Sequence, residues 1–185
     1  MYIEHLDTPS IPSDVIAELL DTNPDTGKYT YKFDPEFTDV ATFKIYDVDL
    51  SKLKTSWFKD NGQDKFNWII QILDNGSYLV PHKDEHRDYT ISYIIDPGGD
   101  NVSTCFYKKL LDKEYPPIKS IPREEVELVY SEVLERDKWY KLSVQEIHSV
   151  ENMESARVCL IRQLPEIPVD YTSQFGIDIN TLNNN

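Results

Sequence analysis

From residue 66 onward the chain is cut into short apolar segments by turn-forming residues, and that punctuation limits what it can fold into. Phe66, Trp68, Ile70 and Ile72 alternate with Asn67 and Gln71, the two-residue period of a strand with one strongly buried face. Asp74-Asn75-Gly76 ends that strand with a turn. Tyr78-Leu79-Val80 leads into a second strand, and Tyr89 to Ile95 forms a third, ended by Asp96-Pro97-Gly98-Gly99. Val102 to Tyr107, Val126 to Leu134, Trp139 to Val144 and Ala156 to Arg162 are further strand candidates. Lys108 to Arg123, with Tyr115-Pro116-Pro117 inside it, reads as a long loop, because proline there prevents regular pairing. Segments this short predict an antiparallel sandwich or barrel rather than a parallel α/β sheet. Upstream, Ser13 is placed to cap a helix over 14–21 with Val15, Ile16, Leu19 and Leu20 on one face. Asn23-Pro24-Asp25-Thr26-Gly27 supplies the turn chemistry to stop it.

A chain of 185 residues suits one domain with a single core, expected over 1–179 with a frayed tail at 180–185. Its apolar runs are far shorter than the roughly 20 residues a membrane helix needs. The opening Met1-Tyr2-Ile3-Glu4-His5 carries neither the basic nor the apolar region of a signal peptide, and two cysteines make no disulfide framework. A cytoplasmic location is therefore expected. Nineteen basic against 33 acidic residues give a net charge of −14, a field that repels phosphate backbones and works against general nucleic-acid binding.

The four histidines are where chemistry is to be sought. His-x-Asp occurs three times, as His5/Asp7, His82/Asp84 and His86/Asp88, and in so acidic a chain the spacing alone carries little. Context separates them. His82 and Asp84 follow a glycine turn and a rising apolar run, which places two ligands at the end of a strand. His86 and Asp88 sit in the charged run Asp84 to Asp88, which reads as a solvated loop, and His5 reads as ordinary surface near the terminus. Downstream, Ile147 to Val150, a polar turn, and Ala156 to Ile161 read as strand, turn, strand, with His148 near the end of the first and Arg157 near the start of the next. An arginine inside an apolar strand either points outward or pairs an anion, and a ligand carboxylate would serve.

His82-x-Asp84, His148 and, nine residues later, Arg157 resemble the iron ligands and cosubstrate arginine of the Fe(II)/2-oxoglutarate-dependent oxygenases. Gly76, Pro81, the stretch Arg87-x-x-Thr90-x-x-Tyr93-x-x-Asp96-x-Gly98-Gly99 and Thr104-x-Phe106 are similar to the prolyl-hydroxylase-like branch. His148-Ser149-Val150-x-Asn152 and Arg157-Val158-x-Leu160 resemble both that branch and the aspartyl/asparaginyl β-hydroxylases. The resemblance covers about 66–163 and departs in two places. The common Arg-x-Ser is Arg157-x-Cys159, and Leu73 stands where a tyrosine is usual, with Tyr78 the nearby phenol.

This resemblance implies a mainly β fold, the double-stranded β-helix or cupin-like jelly roll, with a flanking N-terminal helix. It implies Fe(II) held by His82, Asp84 and His148, and 2-oxoglutarate held by Arg157, with Cys159 and Tyr78 as further contacts. The activity implied is hydroxylation of an unactivated C–H bond, in a protein or peptide side chain or a free amino acid, with release of succinate and CO2. Two imidazoles and one carboxylate are in themselves a donor set suited to non-haem Fe(II). Two other readings stay open: a jelly roll that binds metal or a small acid without turnover, and a zinc hydrolase or isomerase on the same three residues. The latter gives Arg157 no role.

Overall fold

The structure, a computed structural model, describes residues 1–22, 29–32, 40–74, 76–84, 87–117 and 119–163, with backbone only at 29–32 and at Gln163. The expected turn at 23–27, the tail at 180–185 and the loop residue His86 lie outside the described residues. The strands are β1 (Ile3–Leu6), β2 (Tyr29–Lys32), β3 (Thr42–Asp47), β4 (Asn67–Asp74), β5 (Leu79–His82), β6 (Tyr89–Asp96), β7 (Ser103–Lys109), β8 (Val126–Val133), β9 (Trp139–Ser143), β10 (Ile147–Glu151) and β11 (Arg157–Gln163). The helices are α1 (Ser13–Thr22) and the single turn α2 (Trp57–Asp60).

The strands form a seven-stranded sheet ordered β1-β9-β6-β11-β4-β3-β2 and a four-stranded sheet ordered β5-β10-β7-β8, antiparallel throughout. From β4 to β11 the chain passes from one sheet to the other at every step except the β7–β8 hairpin. Eight strands wound this way are a jelly roll, the double-stranded β-helix. Its interior is made by inward residues of both sheets, among them Ile69, Leu73, Ile94 and Ile161 facing Leu79, Phe106 and Val150.

A second apolar layer covers the outside of the larger sheet, where Val15 and Leu19 of α1 and Phe58 of α2 pack on Trp68, Ile70 and Leu160. This corrects the reading of β4 as a strand with one strongly buried face. Trp68 and Ile70 face the helices while Ile69 and Leu73 face the barrel, so the strand is sandwiched on both sides. The apolar stripe of α1 is narrower than its sequence suggests. Val15 and Leu19 are one turn apart and buried, whereas Leu20, rotated about 100° from Leu19, is exposed. The expected loop at 108–123 is shorter at both ends, since β7 runs through Lys109 and a 3-10 turn begins at Arg123.

The turn after β6 depends on one glycine. Gly98 has φ of 88°, and a Cβ there would lie 2.9 Å from the Ser155 carbonyl oxygen and 3.2 Å from Arg157 Cβ. That carbonyl-lined corner is closed by the Glu154 and Ser155 N–H groups, both donating to Gly98 O at 2.9 Å. Gly98→Ala is expected to cost about 1–2 kcal/mol from the left-handed backbone alone. Urea unfolding checks this, and an unchanged midpoint would show that the corner relaxes.

Candidate metal centre

β5 and β10 are antiparallel neighbours, and their register sets His148 opposite His82. The two rings lie 4.3 Å apart between centroids. In each histidine Nδ1 lies against the backbone carbonyl two residues earlier: His82 against Val80 O at 2.8 Å, His148 against Glu146 O at 2.9 Å. A carbonyl can only accept, so each Nδ1 carries the proton and each Nε2 presents its lone pair. Asp84 Oδ1 lies 3.6 Å from His82 Nε2 and 4.0 Å from His148 Nε2. One ligand atom from each residue falls within a span of 4.8 Å, close enough for one ion to bridge.

His82 is the last residue of β5, and Asp84 follows it in the loop rather than on the strand. That loop is stapled to the end of β9: Asp84 N–H donates to Val144 O at 2.9 Å, and Val144 N–H donates to Asp88 O at 3.1 Å. Asp84 Oδ2 accepts from Arg87 Nε at 2.9 Å and Nη2 at 2.5 Å. Burial works to raise the Asp84 carboxyl, but the Arg87 guanidinium and the two imidazoles outweigh it and hold the group well below the usual carboxylate range. Burial, helped by the neighbouring His82, pulls His148 down to about 4 against the opposing pull of Asp84. Near neutral pH Asp84 is therefore ionised and His148 neutral, the forms that ligate metals.

Arg157 opens β11 and is 4% exposed. Its Nη2 donates to Thr104 Oγ1 at 3.2 Å, and its Nη1 is buried with no hydrogen-bond partner among the described residues. Cys159, two residues on, faces the same interior and is buried. Both residues line one cavity with His82, Asp84 and His148. About 60 Å³ of it is open to the centres of water-sized spheres, room for several waters. On β7, Phe106 is opposite His148 and Thr104 opposite Val150. Thr104, which holds Arg157, is thus two strand residues from the imidazole level, roughly 7 Å.

The other expected residues fall as follows. Tyr78 is not among the residues lining this cavity; its ring lies under the Arg123 guanidinium, 4.7 Å from ring centroid to Cζ. His148 is the second residue of β10, not near its end. His5, on β1, is exposed, with Nε2 2.6 Å from Glu132 Oε1. Arg162 faces away from the barrel and lies over Phe66. Motif reading assigned no role to Gln71, Thr90, Ser92 and Thr104, small polar side chains that line the cavity. Their signal is position: Gln71, Thr90 and Ser92 stand among the apolar residues of β4 and β6, and Thr104 alternates with Phe106 along β7. Thr90 Oγ1, like Arg157 Nη1, is buried without a partner among the described residues.

No protein-family model matches the chain, and no curated protein sequence matches it significantly. Among the described residues no helix is long and apolar enough to cross a membrane. Among solved structures, the chain is similar to Escherichia coli YcfD at 15% identity and a TM-score of 0.43, over 95% of this chain and 55% of that one. A second structure of that protein, described as a ribosomal oxygenase, gives 12% and 0.35, over 80% of this chain and 40% of that one. The L-ribose isomerase of Cellulomonas parahominis gives 11% and 0.37, over 70% of this chain and 65% of that one. The chain thus spans less than two thirds of each of these proteins, and at such TM-scores the likeness adds nothing to the topology itself.

Proposed function

We propose that this chain is an Fe(II)- and 2-oxoglutarate-dependent dioxygenase that hydroxylates an unactivated C–H bond. The observation that carries the reading is a single cavity with two different ends. At one stand two imidazole Nε2 atoms and a carboxylate; at the other lies a buried guanidinium with one nitrogen unpaired among the described residues. An unpaired buried charge costs several kcal/mol, so a metal site alone leaves the Arg157 end unexplained. A diacid that chelates a metal through a 2-oxo acid group and extends a second carboxylate to Arg157 satisfies both ends. The offset of roughly 7 Å along the strands suits a chain of five carbons.

The donor set fits Fe(II): His82, Asp84 and His148 would hold it and leave further coordination positions open. Iron bound there supplies the oxygen activation that splits the 2-oxo acid into succinate and CO2 and hydroxylates the substrate. The protein's own groups orient and exclude. Carbonyl-locked Nδ1 atoms aim the imidazoles, Arg157 and Thr104 grip the distal carboxylate, and Phe43, Leu73 and Ile161 keep water from the cavity wall. The substrate we favour is a protein or peptide side chain or a free amino acid, on the motifs shared with the prolyl-hydroxylase-like and aspartyl/asparaginyl β-hydroxylase branches. Residues 1–179 would form one oxygenase domain.

The test is succinate release from 2-oxoglutarate by the Fe(II)-loaded protein, with and without candidate amino acids and peptides. Release in air and none under argon is expected. No release, or equal release in both atmospheres, overturns the reading. Cys159→Ser is expected to leave 2-oxoglutarate affinity equal or better, because a hydroxyl is the stronger hydrogen-bonding group at that inward position. Anaerobic titration of the Fe(II) protein measures it, and a clear loss would assign the thiol a packing role instead.

A further inference from the structure

Arg87 spends two donors on one oxygen atom. Its Nε and Nη2 both converge on Asp84 Oδ2, while Oδ1 is the oxygen that faces both imidazoles. We infer that Arg87 is a positioning residue that fixes Asp84 as a one-oxygen metal ligand, an inference that rests on the metal-centre reading above. A carboxylate torsion is broad and two-fold, so an unclamped aspartate can present either oxygen, or both, to an ion. With Oδ2 saturated by the planar fork, only Oδ1 is left for a metal, and a coordination position that a second oxygen would occupy stays open. The clamp is built locally. Arg87 follows Asp84 by three residues, its carbonyl accepts from Gln145 Nε2 at 2.9 Å, and the loop is stapled to Val144 on both sides.

A guanidinium beside a cation site also repels the cation. If charge alone mattered, removing Arg87 would tighten metal binding; if positioning dominates, removal weakens it. The sign of the change therefore decides between the two. Arg87→Lys keeps the charge but replaces the fork with a point donor, and separates the same effects a second way.

The experiment is Co(II) affinity by competition with a chromophoric chelator, on the full chain, for Arg87→Gln, Arg87→Lys, Asp84→Ala and the Arg87→Gln/Asp84→Ala double variant. Arg87→Gln is expected to weaken Co(II) by about 10- to 100-fold, the usual cost of removing a group that orients a ligand. Arg87→Lys should recover only part of that loss. In the Asp84→Ala background, read at Co(II) concentrations far above those that saturate the wild type so that residual binding by the two imidazoles is measured, Arg87→Gln should cause no further weakening, because the clamp has nothing left to hold. Unchanged or tighter binding by Arg87→Gln overturns the inference, and so does an equal loss in both backgrounds, which would mark general damage to the loop. His82→Ala, run alongside, reports on the centre itself: undiminished Co(II) binding there would sink the metal reading independently of Arg87.

Discussion

His82→Ala protein is expected to hold no Fe(II) at concentrations that saturate the wild type, and to release no succinate. The side chain is 4% exposed, its Nδ1 is committed to the Val80 carbonyl, and its Nε2 faces Asp84 Oδ1. Alanine removes one of three donors and leaves nothing else on β5 to replace it, since the neighbours are Leu79, Val80 and Pro81. Asp84→Ala should do the same by removing the centre's one anionic donor among the described residues. The control is His86→Ala. His86 belongs to the competing His-x-Asp pair, and its removal is expected to leave iron binding and turnover intact. Iron content after gel filtration measures all three. Comparable iron loss from His86→Ala would show that the wrong histidine pair had been assigned.

Arg157→Ala is expected to keep the metal and lose 2-oxoglutarate, by on the order of 2–5 kcal/mol for truncating one partner of a buried charge pair. The two effects should separate cleanly because Arg157 meets Thr104, which is two strand residues from the imidazole level. Arg157→Lys should keep part of the affinity, since the charge survives while the planar fork is lost. Titration of 2-oxoglutarate into the anaerobic Fe(II) protein, followed by the metal-to-ligand charge-transfer band, reads it directly. An unchanged titration for Arg157→Ala would move the cosubstrate anchor elsewhere. Arg87 is committed to Asp84 and Arg162 faces the outer layer over Phe66, so neither is well placed to take over.

Much of this geometry can be read from the chain because it depends on period and spacing. Turn clusters at 74–76 and 96–99 and two-residue alternation mark the barrel strands, and Arg157 stands out as a charge in an apolar run. Other parts are written less plainly. β3 carries the same alternation, Phe43 and Ile45 against Lys44, yet it lies upstream of the region that the turns punctuate. β1, with only Ile3 buried, has too little apolar period to declare itself and gains its place by pairing with β9. The run Asp84 to Asp88 looks like solvated surface because charge density is all that sequence reports there. Whether Asp84 and Arg87 face water or each other depends on the staple to Val144, a residue far along the chain. Thr90 and Thr104 belong to the motif pattern, yet the pattern does not say that they line the cavity, which depends on the barrel turning them inward.

The two histidines are braced by Val80 and Glu146, residues that share no chemistry beyond a main-chain oxygen. An aspartate or glutamate in that bracing role would be tied to its identity, and a substitution would release the ring. Here the brace survives any substitution that preserves the local backbone path, because each ring is tied to a carbonyl two residues back. The aim of His82 thus travels with β5 and that of His148 with the bend that leads into β10, and neither depends on the other's. Evolution can rework the side chains at 80 and 146, and with them the barrel wall and the rim, without retuning the rings between them.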